Sequence, residues 1–409
     1  MKLLILFLPI GLSFLLGILL VKYLTVHPLE MSLYLVAVCL IFFVLVFVLA
    51  LIFRGKQLWI SIALSLLFFA VGYIGMTRVF LNRDDPRPVP EITRQKDDPG
   101  LGHTAVVYFT HGEPETYDPI GWINQFNEFE EQGIPFVPLV ARPLFVYQLR
   151  NKYLQVGKSN HHQVHTQMIK SLEQDYRAEG DTTTRFYLSF LDDNPRPDAA
   201  AIQALNEGAS RIVISEVFLT ISNHTAEGEE LIKELNIEQN YGVPVHYTGP
   251  LYDSTILQSM FLARADANIE DTNKSKVGLL LVGHGQPDEW DVEWPTETNQ
   301  EIGFREDVLQ LLADNGYSSE NMSLAWMEFK QPKPAEKVNQ FLENGVEKIL
   351  YFSAAISADS IHSQYDIPSL VNEADIPEGF PIINLGAWNN DPIVIQAIKE
   401  KIDHQLEDL

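Results

Sequence analysis

The hydrophobic pattern divides the chain into two unlike parts. Leu3–Leu24, Met31–Phe53 and Leu58–Tyr73 are nearly unbroken apolar stretches. The first two are long enough to cross a ~30 Å hydrocarbon layer as helices, and the third reaches that length if it continues to about Val79. A cleavable signal would carry a shorter apolar region and small residues after Leu24, so residues 1–80 predict about three retained transmembrane helices. Residues 81–100, which include NRDDPRPVPEITRQKDDPG, are rich in proline and charge, show no amphipathic period, and read as an extended tether rather than packed structure.

From about Leu101 the pattern changes to short aliphatic runs separated by helix-like segments. Ala105–Thr110, Arg211–Glu216, Val245–Thr248, Val277–Gly283, Lys348–Ser353 and Pro381–Leu385 predict strands, and Ala199–Glu207 and Ala335–Asn344 predict helices. Continuous apolar strands alternating with helices imply parallel sheets covered on both faces.

This alternation repeats itself. NPRPDAAAIQALNEGASRIVISEVFLTISNH (Asn194 to His224) aligns with QPKPAEKVNQFLENGVEKILYFSAAISADSIH (Gln331 to His362), with one extra residue in the second copy. In both, Pro-basic-Pro opens a helix, a glycine closes it, a strand follows, and a histidine sits in the loop beyond. Upstream, YFTHGEP matches LVGHGQP; downstream, VHYTGPLYDS matches IINLGAWNND. The soluble part is therefore expected to be two related Rossmann-like α/β halves, residues 101–270 and 271–409. The first is enlarged by an insertion between Asp118 and about Thr184.

Composition narrows the function. A net charge of −25 with no basic stripe argues against a nucleic-acid partner. The single cysteine, Cys39, lies in an apolar stretch, so no intramolecular disulfide and no thiolate metal cage can form. Three spans put the two termini on opposite sides of a membrane. Lys22, Arg78, Arg83, Arg87, Arg94 and Lys96 outweigh Lys2, Arg54 and Lys56, which favours a cytoplasmic soluble part.

In open α/β sheets, ligands bind beyond the carboxyl ends of the strands. His284 and His362 each follow a predicted strand, and Glu328 ends a third apolar run, so all three are expected at one edge. Two imidazoles and a carboxylate suit a borderline divalent metal such as iron, cobalt, nickel or zinc. A single histidine after a strand is ordinarily a loop or capping residue, and an acidic residue is ordinarily solvated; the repetition in both halves is what raises these positions above that. Asp366, one turn beyond His362, would orient its ring if the loop enters a helix directly. The first copy has Leu191 opposite Glu328 and Gly228 opposite Asp366, so His224 reads as a structural relic. His161 and His165 would share a helix face, and the expectation for them is an ordinary exposed helix start ahead of contact with a ligand rim or a zinc site. Trp290, Trp294 and Trp326 could stack on a flat ligand or fill the core. Gly283 and Gly285 let the backbone turn sharply and would let a planar ligand approach His284.

The motifs HG-x-P after the first strand of a half, ME-F-x-QP-x-PAE, and HSQYDIP (His362 to Pro368) resemble the class II tetrapyrrole chelatases, the ferrochelatases and sirohydrochlorin cobalt chelatases. The first half is similar to ferrochelatases in HGEPET, in KSNHHQVHTQM and in NPRPDAA. The resemblance covers about residues 105–405 and implies insertion of Fe²⁺ or Co²⁺ into a tetrapyrrole macrocycle between the two halves. The divalent metal would be a substrate, and no organic cofactor is implied. It implies His284 as metal ligand or proton acceptor, and His362 as its partner where ferrochelatases carry a glutamate and cobalt chelatases a histidine. It further implies Glu328 in catalysis, His111 near the metal on the opposite macrocycle face, and Gly285, Asp366, His111 and Trp290 against the substrate. A non-catalytic tetrapyrrole or metal carrier that keeps the fold is the alternative.

Overall fold

The computed structural model describes residues 2–83, 86–131 and 137–407; Asp84 and Asp85 of the charged tether lie outside them. The chain forms two compact units. One comprises residues 1–86 and 116–158, and the other residues 87–115 and 159–409.

The first unit is built on α1 (Lys2–Thr25), α2 (Met31–Ile52) and α3 (Gly55–Leu81). Within it, Phe7–Thr25, Pro28–Ile52 and Gly55–Leu81 are long and apolar enough to cross a membrane. The third runs well past Tyr73. α1 and α3 pack at glycines: a Cβ on Gly17 would lie 2.3 Å from the Phe69 carbonyl, and one on Gly72 would lie 2.2 Å from that of Phe14. Such small residues let helix backbones touch where lipid gives no hydrophobic drive for association. The remainder of this unit is the inserted segment, with helices Ile120–Glu131 and Arg142–Val156. It is fixed to the ends of α1 and α3: Arg150 donates to the Tyr23 and Val26 carbonyls at 2.6 and 3.0 Å, Tyr117 to Thr25 at 2.8 Å, and Tyr73 to Val140 at 2.9 Å.

The second unit holds two four-stranded parallel sheets. Its strands are β1 (His103–Thr110), β2 (Arg185–Phe190), β3 (Ala209–Glu216) and β4 (Val245–Tyr247), then β5 (Val277–Gly283), β6 (Met322–Trp326), β7 (Lys348–Ser353) and β8 (Ile382–Asn384). The orders are β2-β1-β3-β4 and β6-β5-β7-β8, the same topology twice. β1, β5 and β7 are buried along their whole length, as expected for parallel strands covered by helices on both faces. One apolar core joins the halves through Tyr108, Phe261, Leu281, Phe352 and Trp388, and smaller cores lie under the outer face of each sheet.

The reading of the tether as unpacked needs correction from Arg87 onward. Arg87 donates to the Leu191 and Asp193 carbonyls, and buried Arg94 to those of Leu205 and Ala209. Asn206 closes the backbone of Glu91 and Thr93. Proline and charge predicted extension correctly, but the carbonyls at the ends of the 197–206 helix and β3 give an extended strap guanidinium partners.

Candidate active site

The residues singled out in the second half come together beyond the ends of β5, β6 and β7. His284 directly follows β5. Its Nδ1–H donates to the Gly285 carbonyl at 2.7 Å, which puts the ring's lone pair on Nε2. Gly285 makes that turn at φ 84°. His362 opens a π-type turn, His362–Asp366, that runs into the helix Ile367–Val371. There its Nδ1 bonds Asp366 at 2.8 Å, so this lone pair too is on Nε2. Single π turns inside helices recur at functional sites, and this one sets His362 and Asp366 face to face. The His284 and His362 rings meet edge to face with centroids 5.4 Å apart.

Glu328 is tied to the same turn, because its backbone N–H donates to the His284 carbonyl at 3.0 Å. Burial and the adjacent His362 hold the His284 imidazole below its ordinary pKa, against the pull of Glu328 and Glu301. The ring is therefore neutral at pH 7. A side chain at either glycine would strike the protein itself. A Cβ on Gly283 would meet the Glu301–Arg305 pair at 2.0 Å, and one on Gly285 the Glu328 carbonyl at 2.6 Å. These glycines admit the protein's own groups.

The first half repeats the arrangement. His111 Nδ1 bonds the Gly112 carbonyl at 2.9 Å, Gly112 has φ 90°, and the His111 and His224 rings meet edge to face at 4.7 Å. The acidic partner thought missing is present. The N–H of Asp192 donates to the His111 carbonyl at 2.8 Å, as that of Glu328 does to His284, so Asp192 and not Leu191 occupies the Glu328 place. Between Glu328 and Gln331 the second copy carries a further residue that the first lacks, and Phe329 there takes the left-handed backbone, φ 51°. The Asp192 carboxylate lies 3.5 Å from His111 Nδ1. Gly228 does stand where Asp366 does, packed against the Phe109 ring.

Trp290 is buried with its ring edge-on to His224 at 6.1 Å, whereas Trp326 lies in the core beneath the Arg305 guanidinium, 4.1 Å away. His161 and His165 start the helix His161–Ala178 as spaced, yet both are buried rather than exposed. His165 is held by Tyr108 at 2.8 Å and Ser357 at 3.2 Å, and burial takes its pKa down to about 3. Among the described residues no three or more His, Cys, Asp or Glu side chains close into a ready metal cage.

A family model described as ferrochelatase matches residues 103–406. The chain belongs to the ferrochelatase family. That membership makes it a tetrapyrrole metal chelatase by family and its ligand a tetrapyrrole macrocycle. No individually curated protein matches it. Among solved structures it is similar to the sirohydrochlorin chelatase SirB from Bacillus subtilis subspecies spizizenii in complex with cobalt, at 11% identity and TM-score 0.46, covering 75% of this chain and 96% of that one. It is also similar to SirB from Bacillus subtilis with Fe³⁺, at 12% identity and TM-score 0.48, covering 74% and 95%. A third likeness is to CbiX, described as the terminal enzyme for siroheme biosynthesis in denitrifying bacteria, at 14% identity and TM-score 0.39, covering 74% and 98%.

Three groups of this ferrochelatase-family site escaped the sequence reading. Glu301, 2% exposed, accepts the His284 backbone N–H at 2.8 Å and is backed by the fully buried Arg305. Its only sequence signal is an acid-to-arginine i, i+4 pair. Asp192 was hidden by the one-residue slip, and Glu113, in HGEP, reaches from the first half to the His362 turn.

Proposed function

We propose that this protein is a membrane-anchored chelatase that inserts a divalent metal, Fe²⁺ ahead of Co²⁺, into a porphyrin or sirohydrochlorin-type macrocycle for haem, sirohaem or cobalamin synthesis. The observation that carries the reading is the His284–His362 pair, with both Nδ1 atoms engaged and both lone pairs on Nε2. Two imidazoles bind a borderline cation reversibly, as an ion in transit requires. Insertion also releases two pyrrole protons. Glu328, joined to the His284 turn, takes the first, and His284 takes the second once the metal has left its Nε2. His111 meets the metal or macrocycle from the first half, and Gly285, Asp366 and Trp290 shape the substrate side. Three apolar helices support anchoring, and the Lys/Arg bias supports a cytoplasmic soluble part.

The test is metallation by the full chain in lipid nanodiscs, with protoporphyrin or sirohydrochlorin and anaerobic Fe²⁺ or Co²⁺, followed by absorbance. Rates no higher than the spontaneous reaction with every pair would remove the enzyme reading. Undiminished activity in His284→Ala would remove the assigned site.

A further inference from the structure

The second histidine pair is too complete for a relic. His111 and His284 share the glycine turn, the Nδ1-to-carbonyl bond and a carboxylate delivered by the same backbone register. His224 and His362 share a cap: the N–H of Ser222 donates to Thr225 and that of Ser360 to Ser363, both at 2.9 Å, and each histidine follows its cap serine by two residues. The resulting pairs have centroid separations of 4.7 and 5.4 Å with interplanar angles of 74° and 78°. Two imidazoles that share an ion through metal–nitrogen bonds of about 2.0–2.1 Å have such separations.

The two differences between the pairs have local causes. Asp192 is one methylene shorter than Glu328, and its carboxylate lies beside His111 Nδ1, where it fixes the tautomer with the lone pair on Nε2. Asp366 has no counterpart because Phe109 fills that space: a Cβ on Gly228 would lie 2.0 Å from its ring. His224 is instead held between His111 and Trp290.

We propose that His111 and His224, oriented by Asp192, form a second open site for a borderline divalent cation, so that each chain takes up two such ions, one per half. The class of cation rests on the chelatase reading. The second site itself rests on the duplicated geometry.

The experiment is equilibrium dialysis of the full chain, untagged and in detergent, against Co²⁺, with visible spectra to report imidazole coordination. Two ions per chain are expected in the wild type, one in either His224→Gln or His284→Gln, and none in the double variant. Asp192→Asn should weaken only the first-half ion, by about 10–100-fold, which a merely structural aspartate would not do. Unchanged circular dichroism keeps loss of fold out of the comparison. One ion per chain, or none, in the wild type overturns the proposal, as does a count of two that survives His224→Gln. Metallation is measured on the same samples: two ions without any metallation would leave the second site standing and remove the chelatase reading.

Discussion

The Glu113 carboxylate accepts the backbone N–H of Ile361 at 2.8 Å. Glu113 lies in the HGEP turn of the first half, and Ile361 begins the turn that carries His362 in the second. This bond ties the two histidine-bearing loops to each other. Burial raises the Glu113 pKa, opposed by His362 and by a hydrogen bond from Ser159. Glu113→Ala should cost about 1–3 kcal/mol through the unsatisfied N–H. It should slow metallation by up to ~100-fold through misplacement of His362. Glu113→Gln keeps an acceptor oxygen and should retain most of both. Alanine and glutamine variants that behave alike would rule out the positioning role.

Continuous aliphatic runs gave β5 and β7 with their observed bounds, because a strand buried on both faces leaves an unmistakable signature. RFYLSF and MSLAW did not read as strands. β2 and β6 are sheet edges with partly exposed faces and mixed composition, so their pattern resembles many loops. The histidines were legible because they repeat. Asp192 was not, since the alignment ran without a gap across Phe329, whose left-handed backbone has no sequence mark. Glu301 and Arg305 could not be found from spacing alone, because their burial beside Gly283 is a property of the packed helix.

Phe109 and Gly228 should behave as a coupled pair. Gly228→Asp alone places a Cβ 2.0 Å from the Phe109 ring and should destabilise strongly, by several kcal/mol. Phe109→Val, which installs the residue of the matching β5 position, should cost roughly 1–3 kcal/mol through a cavity. The double variant should be more stable than the sum of the two predicts. Thermal unfolding of all four species checks this, and strict additivity would contradict the steric account.

Stability should pass through a maximum near pH 6.5. Burial, with Glu229 adjacent, pushes the Glu216 carboxyl up to about 8. Burial also raises Glu297 to about 8, helped by Glu301 and Asp291. Folded protein then holds protons that unfolded chains have released, so stability declines as pH rises from about 4.5 to about 8. His161, His165 and His224 act oppositely: burial keeps them neutral, so stability is lost as pH falls below about 6.5. Unfolding midpoints measured from pH 5 to 9 should trace this bell. Glu216→Gln and Glu297→Gln, which mimic the protonated carboxyl, should flatten its alkaline side. A decline that is equally steep in both variants would assign the slope to other groups.

Arg150 makes the inserted segment dependent on the apolar helices. Its guanidinium is fully buried, donates to the Tyr23 and Val26 carbonyls at the end of α1, and lies over the Tyr23 and Tyr147 rings at 5.4 and 5.0 Å. Arg150→Ala should cost about 1–3 kcal/mol, because those carbonyls lose their donor in a dry site. A chain shortened to begin at residue 87 removes the Tyr23 and Val26 carbonyls and the Tyr23 ring, together with the partners of Tyr117 and Val140. The segment's ends stay joined where Ser159 N–H donates to the Glu115 carbonyl at 3.0 Å. Limited proteolysis of that shortened protein should therefore cut between Thr116 and Lys158 while both sheets persist, because the sheets draw their core from residues after Arg87 alone. Protection of the segment equal to that in the full chain would mean that it folds without α1 and α3, and that Arg150 finds other acceptors there.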